Sequence, residues 1–324
     1  SLTKYAEKVG ANAALVVIPY YNKFVDTYPD LQSLSKASLD ELMLLWSGLG
    51  YYRRIKNIYL AAQIISKKYD NKFPKDYEAI LSLPGIGRTT ASAISTFSGY
   101  SHRAILDGNV KRILRRYYNI SYENNSTTEK ILWEKSTFIT PAKKTSQFIQ
   151  GMMDVGSLVC TRSKPNCSIC PLRKLNCLYT EDAKIKSTNK KNSKKISMYL
   201  LMIINPLDEV YLEKIESGML WENLFSGPFF YSKIEMNSWM REKNISVLKI
   251  KNKFVINHRV TNKDIKITNY VYFLKNDKNV SLSTENWYNL AKINVGIPKY
   301  FDKAIKVYRS DHEKSNVQKV EKRG

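Results

Sequence analysis

The stretch LPGIGRTTASAISTFSGYSHRAILDGNVKR, residues 83–112, carries the densest local signals in the chain. Pro84 cannot continue the apolar helical run that ends at Leu83. Gly85 and Gly87 favour a tight turn, because glycine accepts positive φ and allows a close backbone approach to a partner. The N–H groups at the start of the next helix suit a phosphate group. A helix, a glycine turn and a second helix are therefore predicted here.

The second helix is expected to be capped by Thr89 and Thr90 and to bury an apolar face made of Ala93, Ile94 and Phe97. Further on, Asp107 and Gly108 introduce a basic helix, and an aspartate at a helix start is most often only an N-cap. That helix would also stabilise a negative charge on the aspartate by roughly 0.3–1 kcal/mol. The residue type therefore allows a structural or a chemical role.

The pair of motifs LPGIGR and LDGNVKR resembles the helix-hairpin-helix DNA glycosylase superfamily, and LDGNVKR is most similar to its adenine glycosylases of the MutY type. The resemblance implies that Asp107 is catalytic and that Asn109 holds its carboxylate. The segment WSGLGYYRR also matches, which implies that Tyr51 inserts into the DNA duplex as a wedge. Further DNA contacts implied by the family are Pro84, Gly85, Gly87, Arg88, Thr89, Lys111 and Arg162.

Composition is consistent with such a partner. The 324 residues carry a formal net charge of +23, which favours an anionic polymer, although a Lys- and Asn-rich composition could produce the charge alone. The length allows two domains. Neither a membrane-spanning run nor a secretory signal is recognisable. A cytoplasmic protein of the bacterial nucleoid that acts as a monomer is expected.

All four cysteines lie between positions 160 and 177, with six, two and six residues between successive cysteines. Thiolates at such spacings suit either tetrahedral zinc or a [4Fe–4S] cluster, and a reducing compartment. CTRSKPNCSICPL is similar to the cluster motif of the family, which implies an iron–sulfur cluster held by Cys160, Cys167, Cys170 and Cys177. The family has five residues before the last cysteine, so the sixth residue here is a departure.

The expected general acid is the weakest match. Family members carry a glutamate before the IPY segment, but the equivalent position here is Ala6, and Glu7 is one residue away. One residue corresponds to about 100° of rotation on a helix. Glu7 is therefore a doubtful candidate, and a surface glutamate is the plainer interpretation. Lyases of the superfamily have a lysine where Thr89 stands, so base removal without strand cleavage is expected.

The second half of the chain has a different pattern. Residues 181–196 are predicted to be a basic linker, and strands near 198–205, 209–215, 246–256 and 265–275 flank one helical piece. This mix resembles the α+β Nudix-like domain of the family without its hydrolase signature. The stretch HRVTNKD aligns with the loop that reads 8-oxoguanine, which assigns that role to Thr261 and Asn262 and predicts weaker discrimination.

The fold class predicted is thus a mostly α-helical helix-hairpin-helix glycosylase domain (1–180) with an iron–sulfur cluster loop at 160–177, followed by an α+β Nudix-like domain (197–309) and a disordered tail (310–324). The resemblance implies an adenine DNA glycosylase acting on double-stranded DNA with A:8-oxoguanine or A:G mispairs. A catalytically impaired lesion-binding protein is the alternative, and an endonuclease III-type lyase is disfavoured by Thr89.

Overall fold

The computed structural model describes residues 22–121, 123, 125–179, 193–245, 250–260, 262–274 and 280–321, with side chains described up to residue 310. Its contacts divide the chain into two compact units. One unit consists of residues 60–190, and the other combines the residues up to 59 with those from 191 onward. The contacts therefore divide the chain after residues 59 and 190, whereas the sequence predicted one boundary near residue 180.

Every regular element that the structure describes before residue 180 is helical, as predicted. The α-helices are α1 (Leu31–Lys36), α2 (Leu39–Leu45), α3 (Tyr52–Tyr69), α4 (Tyr77–Leu81), α5 (Arg88–Phe97), α6 (Gly108–Tyr117), α7 (Ser126–Ile139) and α8 (Thr145–Asp154). A π-helical turn (Val155–Val159) follows α8 directly, and a 3-10 turn (Pro171–Leu175) lies in the cysteine loop.

Polar caps and apolar faces explain these helices. Ser38 and Glu41 form a capping box at the start of α2. Asp76 caps α4 by accepting the N–H of Ala79 at 2.9 Å, and Asn125 caps α7 in the same way. The core of the 60–190 unit forms where the apolar faces of α6, α7 and α8 meet, and it contains Ile105, Leu106, Val110, Ile113, Leu114, Leu132, Ile149 and Met152.

The other unit contains an α+β region, which confirms the predicted fold class. Its strands are β1 (Lys194–Ile204), β2 (Glu209–Tyr211), β3 (Glu213–Lys214), β4 (Phe225–Ser226), β5 (Phe229–Phe230), β6 (Ile250–Val260), β7 (Lys263–Phe273) and β8 (Trp287–Asn289). The main sheet has the order β6-β7-β1-β2-β8, with β5 also paired to β1, while β3 and β4 pair separately. Strands β1 and β7 are parallel from Lys194 opposite Lys263 to Ile204 opposite Phe273.

Helices cover both faces of this sheet. Met198, Leu200 and Met202 of β1 pack on one face in the cluster that contains Tyr300 and Phe301 of helix α10 (Lys299–Glu321). Leu201 and Ile203 lie on the opposite face with Met236 and Met240 of helix α9 (Lys233–Glu242). The alternation along β1 follows from the two-residue period of a strand and explains why its sequence is apolar almost throughout.

Residues before 59 belong to this unit through specific contacts. Lys214 pairs with Asp40 at 2.6 Å, and the Ser47 hydroxyl donates to the carbonyl of Ile297 at 3.1 Å. A Cβ at Gly296 would lie 2.8 Å from the backbone of Met43, so only glycine fits this approach. These contacts over long sequence separation are the reason that the units do not follow the predicted boundary.

Two predicted boundaries need correction. The linker prediction ran to residue 196, but β1 already begins at Lys194, where it pairs with β7. The tail was predicted to be disordered from residue 310, yet the backbone of α10 is helical to Glu321. Its first turns are anchored by buried side chains, and extending an existing helix is far easier than nucleating one. None of the helices described is long and apolar enough to cross a membrane.

Candidate functional site

The glycine turn adopts the predicted geometry. Gly85 has a φ of +78°, and the N–H of Ile86 donates to the carbonyl of Leu83 at 3.1 Å. Pro84 is half-buried, whereas Gly85, Gly87 and Arg88 are exposed. The turn therefore presents its glycines and the start of α5 to solvent, as a phosphate-binding turn requires.

The predictions for α5 itself were partly wrong. Gly87 is the N-cap, without a side-chain hydrogen bond, and neither threonine caps the helix. The buried face consists of Ala91, Ser92, Ser95 and Thr96, while Phe97 is 46% exposed. Small polar side chains can be buried here because local partners satisfy them, as in the bond between the hydroxyls of Ser95 and Ser101 at 2.6 Å.

Thr89 connects the turn to Asp107. Its hydroxyl donates to the carbonyl of Leu106 at 3.2 Å, and the hydroxyl of Ser136 donates to the carbonyl of Ile105 at 2.6 Å. The side chains of residues 104–106 are buried, so this short segment is held from both sides. Asp107 is the first residue after it and is half-buried.

Asp107 is the N-cap of α6. Its Oδ1 accepts the N–H of Val110 at 2.8 Å, and no other hydrogen bond to its carboxylate occurs among the described residues. Asn109 does not bond to Asp107 in this part of the chain; its Oδ1 accepts from Arg112 at 2.8 Å. The expectation that Asn109 holds the carboxylate directly is thus not met in this structure, because α6 directs the amide toward Arg112.

Arg112 joins α6 to the cysteine loop, a role that the sequence reading missed. Its Nε donates to the carbonyl of Cys160 at 2.7 Å, and Nη2 also bonds to the carbonyl of Gly156. A Cβ at Gly156 would lie 2.6 Å from the Cβ of Asn109. In the sequence, this contact is indicated only by the three-residue spacing of Asn109 and Arg112 on one helix and by a glycine further along the chain. No neighbouring residue identifies Gly156 as the partner of Arg112.

The four cysteines line one pocket together with Arg116 and Tyr179. Arg116 is buried and donates to the Sγ of Cys160 at 3.1 Å and to the carbonyl of Thr161 at 2.8 Å. Burial, followed by the neighbouring thiols, raises the pKa of the Cys167 thiol. The described residues contain no group of three or more ligands already arranged around a metal ion.

The sixth residue before Cys177 is accommodated by a change of backbone conformation. The 3-10 turn ends at Leu175, and Asn176 follows with a φ of +62°. Asparagine tolerates the left-handed region better than most residues. Cys177 therefore still reaches the pocket despite the longer spacing.

Three of the predicted DNA contacts, Lys111, Arg162 and Arg88, have partners within the chain. The Nζ of Lys111 lies 2.7 Å from both carboxylate oxygens of Glu129, so this charge is balanced within the chain. Arg162 is exposed, and its carbonyl accepts a hydrogen bond from the guanidinium of Arg116 at 3.1 Å. The guanidinium of Arg88 lies 3.8 Å from the ring centroid of Trp133.

In the other unit, Tyr51 stands at the edge of an open groove. It has a φ of +50° and is 75% exposed, with the guanidinium of Arg54 at 4.8 Å from its ring centroid. We call the cavity of about 770 Å³ beside it the partner-base groove; its lining includes residues 48–54, Gly218–Glu222 and His258–Val260. An exposed aromatic side chain at a tight turn is consistent with the predicted wedge.

The residues predicted to read the partner base are only partly described. Thr261 and Glu7 lie outside the described residues. Asn262 is exposed, and its carbonyl accepts the N–H of Lys194 at 2.8 Å. His258 faces the groove with Trp221, which has a φ of +66°. Burial, then Lys303 and Lys299, lowers the pKa of His258.

A glycine turn tied to an N-cap aspartate, a four-cysteine loop and an α+β region together define a DNA glycosylase of the helix-hairpin-helix superfamily. Residues 12–137 match the HhH-GPD superfamily of base excision DNA repair proteins. The chain belongs to the adenine DNA glycosylase family, because it is 37% identical over 308 residues to the adenine DNA glycosylase of Buchnera aphidicola subsp. Baizongia pistaciae, covering 92% of this chain and 87% of that protein. It is accordingly a DNA N-glycosylase, a hydrolase of base excision repair.

Two solved structures are similar to separate parts of the chain. A thermostable thymine-DNA glycosylase aligns with 51% of this chain and 76% of its own length, at 30% identity and a TM-score of 0.47. A MutT protein from Methanosarcina mazei Go1 aligns with 37% of this chain and 96% of its own length, at 15% identity and a TM-score of 0.29.

Proposed function

We propose that this enzyme removes adenine mispaired with 8-oxoguanine or guanine from double-stranded DNA, as a monomer and without cutting the strand. The relatives that span most of its length are adenine DNA glycosylases, which supports adenine as the base removed. The observation that carries the proposal is the position of Asp107, fixed at the first turn of α6 next to a carbonyl that the hairpin helix binds. A DNA substrate and four free thiols fit the reducing interior of a bacterial cell.

Asp107 is proposed to stabilise the reacting sugar. The adenine must first be flipped out of the stack, which costs a few kcal/mol. Its departure leaves positive charge on the deoxyribose, as in glycoside hydrolysis, and a carboxylate beneath the ring stabilises that charge. Oδ1 of Asp107 accepts the N–H of Val110. Oδ2 accepts no hydrogen bond from the described residues, so it is available to the sugar.

Asn109 and Arg112 are proposed to position this carboxylate indirectly. Arg112 bonds to Asn109 on α6 and to the carbonyls of Gly156 and Cys160 on the following turn and loop. These bonds fix the first turn of α6, on which Asp107 is the cap. Reacting groups must be held to within a fraction of an ångström, so such fixation contributes to the rate.

Protonation of the leaving adenine needs an acid, and Glu7 remains the candidate from the sequence. General acid catalysis is typically worth about 10²–10⁴-fold. A protein that lacked the acid would bind the mispair and release adenine slowly, which is the impaired alternative. Family membership favours the enzyme over this alternative.

Strand cleavage through a Schiff base is not expected at the hairpin. Such chemistry needs an amine nucleophile, and the hydroxyl of Thr89 is instead engaged with the carbonyl of Leu106. Lys111 is the amine nearest to Asp107 in sequence, and its Nζ is engaged with the carboxylate of Glu129 at 2.7 Å. Hydrolysis by water is therefore the proposed route.

The donor set of the cysteine loop fits a [4Fe–4S] cluster. Four thiols line one pocket, as such a cluster requires, and a buried arginine beside Cys160 would offset the negative charge of the thiolates. When bound, the cluster would join loop 160–177 to α6. The same four ligands suit zinc, so iron analysis and absorbance near 400 nm of the purified protein distinguish the two metals.

The partner-base groove is proposed to accept the base opposite adenine. Tyr51 enters the duplex as a wedge, while Thr261 and Asn262 contact 8-oxoguanine. Phenylalanine and histidine of the family loop are replaced here by Val260 and Asn262, so we propose a weaker preference for 8-oxoguanine over guanine. Comparing the binding of A:8-oxoguanine and A:G duplexes measures this preference.

Single-turnover assays test the function as a whole. The full-length protein is mixed in excess with duplexes that contain A:8-oxoguanine, A:G or A:T, and released adenine and strand breaks are measured separately. Release from the two mispairs without breaks, and no release from A:T, supports the proposal. Tight binding without release would support the impaired alternative. Strand breaks together with a borohydride-trapped protein–DNA product would support a lyase, because such trapping needs an imine formed by an amine of the protein.

A further inference from the structure

A second groove, of about 610 Å³, lies next to the partner-base groove in the same unit. We call it the lysine groove. It shares the strip Gly218–Leu220 with the partner-base groove, and its other lining residues are Lys194, Lys195, Ile196, Ser197, Tyr231 and Lys263. The two grooves are therefore continuous along one loop.

Strand pairing brings the lysines together. Strands β1 and β7 are parallel, with Lys194 directly opposite Lys263, and the N–H of Lys194 bonds to the carbonyl of Asn262 at 2.8 Å. Lys194 and Lys195 are exposed and Lys263 is half-buried. Neighbouring strands lie about 5 Å apart, so the backbone sets the charges of Lys194 and Lys263 side by side, whereas Lys195 lies opposite Asp264.

No carboxylate in the described part of the chain lies within ion-pair distance of these three lysines. The nearest in sequence is Asp264, which is occupied by the hydroxyl of Ser193 and by Arg259, whose Nε lies 3.6 Å from Oδ1. Lys194 and Lys263 lie opposite each other without an ion-pair partner among the described residues, so these two like charges repel one another. An external anion would relieve that repulsion.

We infer that the lysine groove binds the phosphodiester backbone of the duplex beyond the mispair, on the strand that carries the partner base. This inference rests on the proposed function and extends it to a second contact surface. Charge complementarity identifies the occupant as a polyanion, and the shared strip Gly218–Leu220 identifies it as a continuation of the DNA held in the partner-base groove. Lysines in such a place fix position on the duplex without reading sequence.

The salt dependence of binding tests this surface. The duplex carries 8-oxoguanine opposite 2′-fluoro-2′-deoxyadenosine, which resists hydrolysis, and is made in a short form of about 10 base pairs and a long form of about 24 base pairs, or roughly 34 and 82 Å. Each neutralised phosphate contributes about 0.9 to the slope of log Kd against log salt. The triple variant Lys194→Ala, Lys195→Ala, Lys263→Ala is expected to lose about 2–3 from that slope on the long duplex only.

Lys266→Ala is the matched control, because Lys266 is exposed on the same strand β7 but does not line the groove. Lys263→Ala alone should lower the long-duplex slope by about 0.9, and Lys266→Ala should leave it unchanged. Equal effects of these two substitutions, or an equal loss on both duplex lengths, would overturn the inference. Thermal unfolding of each variant verifies that it is folded.

The failure of this inference can be told apart from that of the proposed function. If the inference holds, the triple variant releases adenine from a saturating short A:8-oxoguanine duplex at the wild-type rate. If the wild type itself releases no adenine, the proposed function fails, while the slopes still show whether the groove binds DNA. A wild-type slope that does not increase with duplex length refutes the lysine groove alone.

Discussion

The surroundings of Asp107 and the partner-base groove satisfy their polar and backbone groups in different ways. Around Asp107, the carbonyls of residues 105 and 106 accept side-chain hydroxyls, and the capping carboxylate accepts a backbone N–H. Arg112 adds donors to the loop behind α6. This region is held by many short contacts within residues 60–190.

The groove, by contrast, contains strained and unpaired groups. Tyr51 and Trp221 have φ values of +50° and +66°, a conformation that bulky side chains rarely adopt. The imidazole of His258 makes no hydrogen bond to other described residues, although its backbone lies in the β6–β7 ladder. Strain of this kind costs of order 1–3 kcal/mol per residue and is concentrated at binding sites. The difference supports the proposal that the region of Asp107 is pre-organised for catalysis and that the groove binds a ligand.

The largest expected effect is at Asp107. Asp107→Asn should lower single-turnover adenine release by about 10³-fold or more, because the charge that stabilises the sugar is lost. Asparagine remains a good N-cap, so the free energy of unfolding should change by less than about 0.5 kcal/mol. Asp76→Asn is the control, since Asp76 caps α4 with the same geometry. Similar rates in both variants would exclude a chemical role for Asp107.

A smaller effect is expected from Gly156→Ala. The new Cβ would lie 2.6 Å from the Cβ of Asn109, so α6 or the π-turn must move. A displacement near 1 Å can cost about 10²-fold in rate. Gly151→Ala on α8 is the control, because nothing lies within 4 Å of its added Cβ. Unchanged adenine release in Gly156→Ala, with intact iron content, would show that the Asn109–Arg112 contact does not position Asp107.

In the groove, Tyr51→Gly should separate stability from activity. Glycine accepts positive φ, and relief of about 1–2 kcal/mol of strain outweighs its entropic cost of about 0.5–1 kcal/mol, so urea unfolding is expected to show a gain of up to about 1 kcal/mol. Loss of the wedge should slow adenine release by about 10–100-fold, equivalent to roughly 1.4–2.8 kcal/mol. Asp70→Gly, at a φ of +51°, should give the stability gain alone. A Tyr51→Gly protein with wild-type turnover would remove the wedge from the mechanism.

Sequence reasoning succeeded where the signal is contiguous. The glycine turn and the Asp107 cap each depend on residues within a few positions, and both occur in the structure. The α+β class of the second half followed from strand-like apolar runs and from the family resemblance. Local geometry is decided by local sterics and hydrogen bonding, which one sequence displays directly.

It failed where partners are distant in sequence. Arg112 and Gly156 are 44 residues apart, and only the folded chain shows that they bond. The buried face of α5 was assigned to apolar residues, whereas Ser92, Ser95 and Thr96 are buried with partners supplied by other segments. The groove likewise draws on three stretches that no local pattern joins. Tertiary contacts decide these features, so periodicity alone could not predict them.

The smallest effect is expected at Glu222, whose loop lines both grooves. Its carboxylate lies 2.8 Å from Lys56 and also accepts the N–H of Gly218, which together hold the pKa of Glu222 at about 2, below the ordinary 4.5. A lowered pKa means that the ionised group stabilises the fold above pH 4.5 and loses this effect as the pH falls toward 2. Glu222→Gln should therefore cost up to about 1 kcal/mol at neutral pH, because the pair is partly exposed.

The difference in unfolding free energy between wild type and Glu222→Gln should shrink steadily between pH 4.5 and pH 2, as measured by urea titration at each pH. Glu242→Gln is the control, since Glu242 is 70% exposed and pairs only with its neighbour Lys243 at 3.3 Å. A difference that stays constant with pH would assign the effect of Glu222 to packing of the loop. The ion pair with Lys56 would then not be what holds residues 218–222 in place. The groove would have no electrostatic contact comparable to the hydrogen bonds around Asp107.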